Sequence, residues 1–184
     1  IRPLVEEISA ALKGSLNYEI LYVDDNSQDN SQEVLASLAN NLATFRAVRH
    51  IKRGGQTAAI LSGVQAANAP LVVTLDGDGQ NDPADILALL EVYNSHGGED
   101  GRLMVSGWRK NRNDNLGKRT SSQIANMVRR SILSDQTQDT GCGLKIFRRE
   151  DFLSLPTFDH MHRFMPALML RCLLYTSPSP RDRG

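Results

Sequence analysis

Leu4, Val5, Ile8 and Leu12 recur at helical spacing and Gly14 follows them, so the chain opens in a helix. The pattern then tightens, and Tyr18-Glu-Ile-Leu-Tyr-Val23 reads as a strand with Asp24-Asp25-Asn26-Ser27 directly behind it. Asn30 and Glu33 have the spacing of a capping box ahead of a helix whose apolar face is Val34, Leu35, Leu38 and Leu42. Arg46 to Arg49 is a short strand, Arg53-Gly54-Gly55-Gln56 a turn, and Ile60, Val64 and Ala67 mark the next helix. Leu71 to Leu75 is almost continuously apolar, as in a strand buried on both faces. Asp82 and Pro83 suit the N-cap and first position of a helix carrying Ile86, Leu89, Leu90 and Tyr93, which His96-Gly97-Gly98 closes. Leu103 to Ser106 predicts a strand, Ile124, Met127, Val128 and Ile132 a helix, and Asp139 to Lys145 a turn entering a strand that ends near Phe147. Strands separated by helices predict an α/β fold with a mainly parallel sheet. Ligands of such sheets sit at the carboxyl ends of the strands, where both acidic clusters fall.

Composition narrows this little. The 184 residues suit one domain, and 40% hydrophobic with 23% charged residues is ordinary for a globular protein. A formal net charge of zero gives no overall field for nucleic acid or an anionic membrane. No apolar run approaches the ~18 residues of a membrane span, and no signal peptide is visible. Cys142 and Cys172 form no metal-ligand pair or disulfide framework, which suits a reducing interior.

The chemistry concentrates in Asp76-Gly77-Asp78-Gly79-Gln80-Asn81-Asp82-Pro83. Two positions apart on an extended chain, Asp76 and Asp78 aim their carboxylates the same way, and such a pair repels unless a proton or cation lies between. Flanking glycines leave room for a bulky anion. Hard oxygen ligands beside such room suggest Mg²⁺ or Mn²⁺ bridging a diphosphate, although a solvated turn has the same composition. An EF-hand loop fails, because its sixth and twelfth positions would be Asn81 and Leu87. A phosphohydrolase nucleophile would follow the first strand, whereas two strand candidates precede Asp76. Gly107-Trp108-Arg109-Lys110-Asn111-Arg112 and Lys118-Arg119 are basic enough to hold phosphate. His160-x-His162 lacks a third ligand, so zinc is rejected.

Taken in order, five motifs resemble those of a family 2 glycosyltransferase of the polyprenol-phosphate (dolichol-phosphate mannose synthase-like) group, with a GT-A fold. They are Val23 to Ser27, Asp76 to Pro83, Gly107-Trp108-Arg109, Asp139-Thr-Gly-Cys-Gly-Leu-Lys145 and Met161 to Leu168. The resemblance covers residues 1–171, which it implies are a catalytic domain lacking the family's first strand and Asn-Glu turn. It implies that Asp24 or Asp25 binds the donor's nucleobase and ribose, and that Asp76, Asp78 and Gln80 hold the metal. It puts Arg109, Lys118 and Arg119 against the diphosphate and the lipid phosphate, Asp139 and Lys145 beside the phosphates, and His162 and Arg163 at the acceptor mouth. Lys145 stands where relatives often have Arg, and Cys142 where many have Phe. Residues 172–184 resemble an in-frame translation of a sequencing adapter and are expected to be non-native.

The implied activity is metal-dependent, inverting transfer of a hexose from GDP-mannose or a UDP-hexose to a polyprenyl phosphate. The implied setting is the cytoplasmic side of a membrane, with peripheral contact and no nucleic acid. A sugar or protein hydroxyl acceptor, with Asp139 as base, stays open beside it. So does a non-catalytic nucleotide-sugar binding module, whereas a nucleotidyltransferase would need a glycine-rich loop after its first strand.

Overall fold

Five short strands carry the fold of the computed structural model, which describes residues 1–98, 103–107 and 142–174. Helix α1 (Arg2–Leu12) leads to β1 (Ile20–Asp24), α2 (Ser31–Asn41) and β2 (Phe45–Arg49). Helix α3 (Gly55–Ala66) precedes β3 (Leu71–Thr74), and α4 (Asp85–Ser95) precedes β4 (Met104–Ser106). Strand β5 (Lys145–Arg148) runs straight into α5 (Arg149–Leu153), then a 3₁₀ turn (Met161–Arg163) and α6 (Met165–Leu174). Helix α6 continues past residue 171, the expected end of the native domain.

Strands β1 and β2 pair in parallel, Ile20 opposite Phe45 and Asp24 opposite Arg49. Strand β5 lies between β3 and β4 and is antiparallel to both, so β3 and β4 run the same way. The parallel pairing expected from alternation joins β1 to β2, while β3 and β4 run the same way without pairing, because β5 enters between them as a reversed strand that alternation does not reveal. Its two central residues, Ile146 and Phe147, are apolar and fully buried because both neighbours and both faces enclose them.

Three apolar clusters hold these layers. Val5, Ile20, Leu35, Leu38 and Phe45 join α1 and α2 to the parallel pair. Leu12, Ile86, Cys142 and Leu144 join α1 and α4 to the approach to β5. Val64, Phe147, Phe152, Leu155, Met161, Met165 and Met169 pack α3 against the chain's last third, with Phe147 and Phe152 stacked at 5.2 Å. Each such side chain contributes roughly 1.5–3 kcal/mol on leaving water.

A cleft of about 1130 Å³ separates the two groups of strands. Consecutive residues of both strands line it, Ile20 to Val23 and Leu71 to Leu75, so it borders strand edges rather than faces. Among the described residues β1 pairs only with β2, and β3 only with β5.

Two helix starts differ from expectation. Asn30 makes no side-chain cap; Asp29 Oδ1 takes the Ser31 N–H at 3.0 Å instead, so the Asn30–Glu33 box does not form. Helix α4 begins at Asp85 rather than Pro83, because Asp82 Oδ1 accepts the Ala84 N–H at 2.9 Å and tightens 82–85 into a separate turn.

Candidate functional site

The acidic loop leaves β3 at its carboxyl end and is seated on the segment that enters β5. Thr74 Oγ1 donates to the Gly143 carbonyl at 2.7 Å. A Cβ on Gly143 would collide with the Asp76 carboxylate, so only glycine lets the two chains approach this closely. Gln56 Nε2 donates to Asp76 Oδ1 at 3.1 Å, which brings the start of α3 to the same carboxylate. Asn81 is buried beneath the loop, with Cys142 Sγ 3.6 Å from its Oδ1.

The extended-chain geometry expected for the two carboxylates ends at Asp76. The chain turns at Gly77 and Asp78, where Asp78 Oδ1 accepts the Gln80 N–H at 3.1 Å. Asp76 is half-buried, while Asp78 and Gln80 are exposed. Among the described residues no group of three or more His, Cys, Asp or Glu gathers as an all-protein metal cage. Mg²⁺ and Mn²⁺ do not require one: one or two carboxylates with substrate phosphates and waters complete their shell. The donor set of Asp76 and Asp78 fits such an ion.

Asp24 and Asp25 part company. Asp24 is buried, Oδ1 accepting the Ser27 N–H at 2.9 Å and Oδ2 lying 3.6 Å from Arg49 Nε. It shapes the turn in which Asn26 takes a left-handed φ of 63°, a conformation asparagine tolerates. Asp25 turns instead to the start of α3. Its oxygens accept the N–H groups of Gly54 and Gly55 at 2.7 Å each, and His50 Nδ1 lies at 2.6 Å. Burial works against its charge, but the Gly54 N–H, the His50 ring and the Gly55 N–H outweigh it and hold the carboxyl below its ordinary range. Gly54 precedes the helix and offers no side-chain cap, so Asp25 satisfies the helix's first amides from 29 and 30 residues away. Gly55 has φ +80°, which a larger residue would resist.

Lys145 is buried at the start of β5, opposite Thr74 and Ser106, and its ammonium donates to the Cys142 carbonyl. His162 comes from the 3₁₀ turn to meet α3, with Nδ1 2.7 Å from Thr57 Oγ1. Burial, then the charges of Arg163, His160 and Lys145, push its imidazole below the ordinary range. The ring and the Thr57 hydroxyl share one hydrogen bond at Nδ1, and its direction follows the ring's tautomer. Arg163 beside it is exposed.

The fold therefore gathers Asp76, Asp78, Gln80 and Lys145 at one end of β3 and β5, with Gln56 and Thr57 of α3 linking Asp76 to His162. Arg109, Lys118, Arg119 and Asp139 lie outside the described residues. Gln56, Thr57, His50 and Asn81 were not singled out from the sequence. The paired glycines at the start of α3 signalled that another group approaches the backbone there, and that group is Asp25.

Residues 1–155 match the family model described as Glycosyl transferase family 2. The dodecaprenyl-phosphate galacturonate synthase of Rhizobium johnstonii is 36% identical over 173 residues, covering 91% of this chain and 49% of that protein. The undecaprenyl-phosphate 4-deoxy-4-formamido-L-arabinose transferase of Yersinia enterocolitica is 34% identical over 167 residues, 90% of this chain and 50% of its own. The chain thus spans about half the length of these relatives. Among solved structures, glucosyl-3-phosphoglycerate synthase from Mycobacterium tuberculosis, in complex with Mn²⁺, UDP-glucose and phosphoglyceric acid, superposes with a TM-score of 0.64 at 19% identity. That match covers 85% of this chain and 54% of the other. A mannosyltransferase from Pyrobaculum calidifontis, in complex with GDP-Man and Mn²⁺, gives 0.53 at 19% identity, over 84% of this chain and 44% of that one. The fold is α/β of the GT-A kind.

Proposed function

Because the chain belongs to glycosyl transferase family 2, we propose that its protein moves a sugar from a nucleoside-diphosphate sugar to a polyprenyl phosphate. The observation that carries this is the Asp76–Asp78 loop at the carboxyl end of β3, seated on Gly143 beside buried Lys145. The polyprenyl-phosphate products named for both relatives support the acceptor class.

Asp76 and Asp78, with Gln80 beside them, would hold Mg²⁺ or Mn²⁺. Bound there, the cation neutralises charge that develops on the departing diphosphate. Asp25 is the member of the acidic pair with its carboxylate at the surface, and it takes the donor's nucleoside. Lys145, His162 and Arg163 supply donors for phosphate oxygens, and Arg109, Lys118 and Arg119 add to them through the family resemblance. An acceptor phosphate oxygen attacks the anomeric carbon opposite the leaving group. The new C–O bond forms as the bond to the diphosphate breaks, the electron pair leaves with the nucleoside diphosphate, and configuration inverts. The acceptor is already anionic, so no general base is required. Asp139 is then a phosphate-side residue rather than a base. The donor is a guanosine or uridine diphosphate sugar. A lipid acceptor places the protein against the cytoplasmic face of a membrane as a peripheral partner, and none of the described helices is long and apolar enough to cross one.

The test is transfer of label from GDP-mannose or a UDP-hexose into the organic phase with polyprenyl phosphate and Mn²⁺. Chelator-sensitive lipid label is expected, and Asp78→Ala should reduce it roughly 100-fold or more. Donor turnover onto a hydroxyl compound with no lipid label would move the acceptor to the second class. Near-normal transfer by Asp78→Ala would remove the metal assignment.

A further inference from the structure

Asp25 belongs to a chain of side chains that reaches well behind the surface. Oδ1 receives the Gly54 N–H and the His50 ring, and Oδ2 receives the Gly55 N–H. A carboxylate has about four acceptor positions, so three are filled by described residues and the fourth lies on Oδ2. Because the carboxylate only accepts, His50 Nδ1 carries the proton of the 2.6 Å bond. The far nitrogen, Nε2, lies 2.8 Å from Ser62 Oγ, within α3. A neutral ring accepts the Ser62 proton and a charged ring donates to the hydroxyl, so both bonds persist in either state.

Three elements meet in these contacts. Asp25 follows β1, Ser62 lies in α3, and His50 follows β2 with its own N–H bonded to the Asp24 carbonyl at 2.9 Å. The two amides at the start of α3 seat the carboxylate, one on each oxygen. His50 follows β2 and reaches Ser62 of α3, and it fills the second position on Oδ1, so the carboxylate's setting depends on the ring as well as on the two amides. The connectivity is also that of a nucleophilic triad. Ser62, however, lies inside a helix whose amides are already spent on the helix ladder, which leaves no donors for an oxyanion.

We propose that His50, backed by Ser62, is a positioning residue that aims the remaining Oδ2 lone pair of Asp25 at an N–H or hydroxyl of the donor nucleoside. The inference rests on the glycosyltransferase reading above. It places specificity for the donor partly in a residue that touches no substrate.

Three variants of the purified protein test it: His50→Leu, His50→Asn and Ser62→Ala. Each is measured for UDP and GDP binding by calorimetry, for donor KM and kcat, and for thermal midpoint. His50→Leu is expected to weaken nucleoside diphosphate binding and raise donor KM about tenfold, the equivalent of one lost charge-assisted hydrogen bond, with kcat held within about twofold. Asn places an amide N–H near the position of Nδ1, so His50→Asn should recover most of that affinity while keeping a lowered thermal midpoint. Ser62→Ala should give a smaller rise in KM. Unchanged affinity in His50→Leu, in a wild type that binds UDP or GDP, overturns the inference alone. So does equal loss in the Leu and Asn variants in step with thermal stability, the mark of a merely structural role. A folded wild type that binds neither nucleotide and transfers no sugar overturns the donor reading, and the inference with it.

Discussion

At the scale of single residues, Glu19 holds together more of the molecule than its surface position suggests. Oε1 accepts the N–H groups of Asn68 and Ala69 at 2.6 and 3.1 Å, and Oε2 pairs with Arg46 Nη2 at 2.7 Å. Arg46 also donates to the Ala66 carbonyl at 2.7 Å, so the end of α3 is tied to β2 and to the approach to β1. Burial opposes the charge on Glu19, but the Asn68 amide, Arg46 and the Ala69 amide prevail and hold its carboxyl below the usual 4.5. A carboxyl depressed on folding stabilises above its unfolded value and loses that contribution as pH falls through the folded one. Glu19→Gln should therefore cost about 1–2 kcal/mol in urea unfolding at pH 7, and the gap to wild type should narrow at pH 3. A gap independent of pH would mean that packing, not charge, makes the difference. Nothing in Tyr18-Glu-Ile marks this, because its partners lie 27 to 50 residues away.

At the scale of elements, β5 is where the pattern was least informative. Leu71 to Leu75 was legible as a buried strand, since its apolar run leaves no face for water, whereas the segment ending near Phe147 was legible only as a strand following a turn. Alternation with helices argues for parallel neighbours, yet β5 enters between β3 and β4 in reverse. The reason is physical: an apolar run reports how much a strand is buried, not which edge it joins or in what direction. The consequence is that Phe147 packs against α5 and supports the strand that carries Lys145. Phe147→Ala should destabilise by about 3–5 kcal/mol, read as a lowered urea midpoint with unchanged m-value. A loss below 1 kcal/mol would show that the cluster around Met161 and Met165 collapses into the space.

At the scale of the whole molecule, the candidate site was legible as chemistry before it was legible as geometry. Asp76 and Asp78, and the Asp24–Asp25 pair, could be singled out because both acidic clusters fall at the carboxyl ends of predicted strands, where ligands of such sheets sit. The division of labour between Asp24 and Asp25 could not, since it depends on which carboxylate reaches Gly54 and Gly55. His162 was placed near the site by motif alone, and its tie to Thr57 spans 105 positions. The open cleft between β1 and β3 has its own consequence, which amide hydrogen exchange can read. Ile20 N–H bonds to the Thr44 carbonyl, so alternate amides of β1 face β2, and those of Leu21 and Val23 face the cleft. Arg149 N–H bonds to the Pro70 carbonyl, which by the same alternation turns Leu71 and Val73 away from β5. Amides of Leu21, Val23, Leu71 and Val73 should therefore exchange faster than those of Tyr22 and Val72, a residue-by-residue stripe within single strands. Uniform protection along either strand would mean that its second edge is covered in solution.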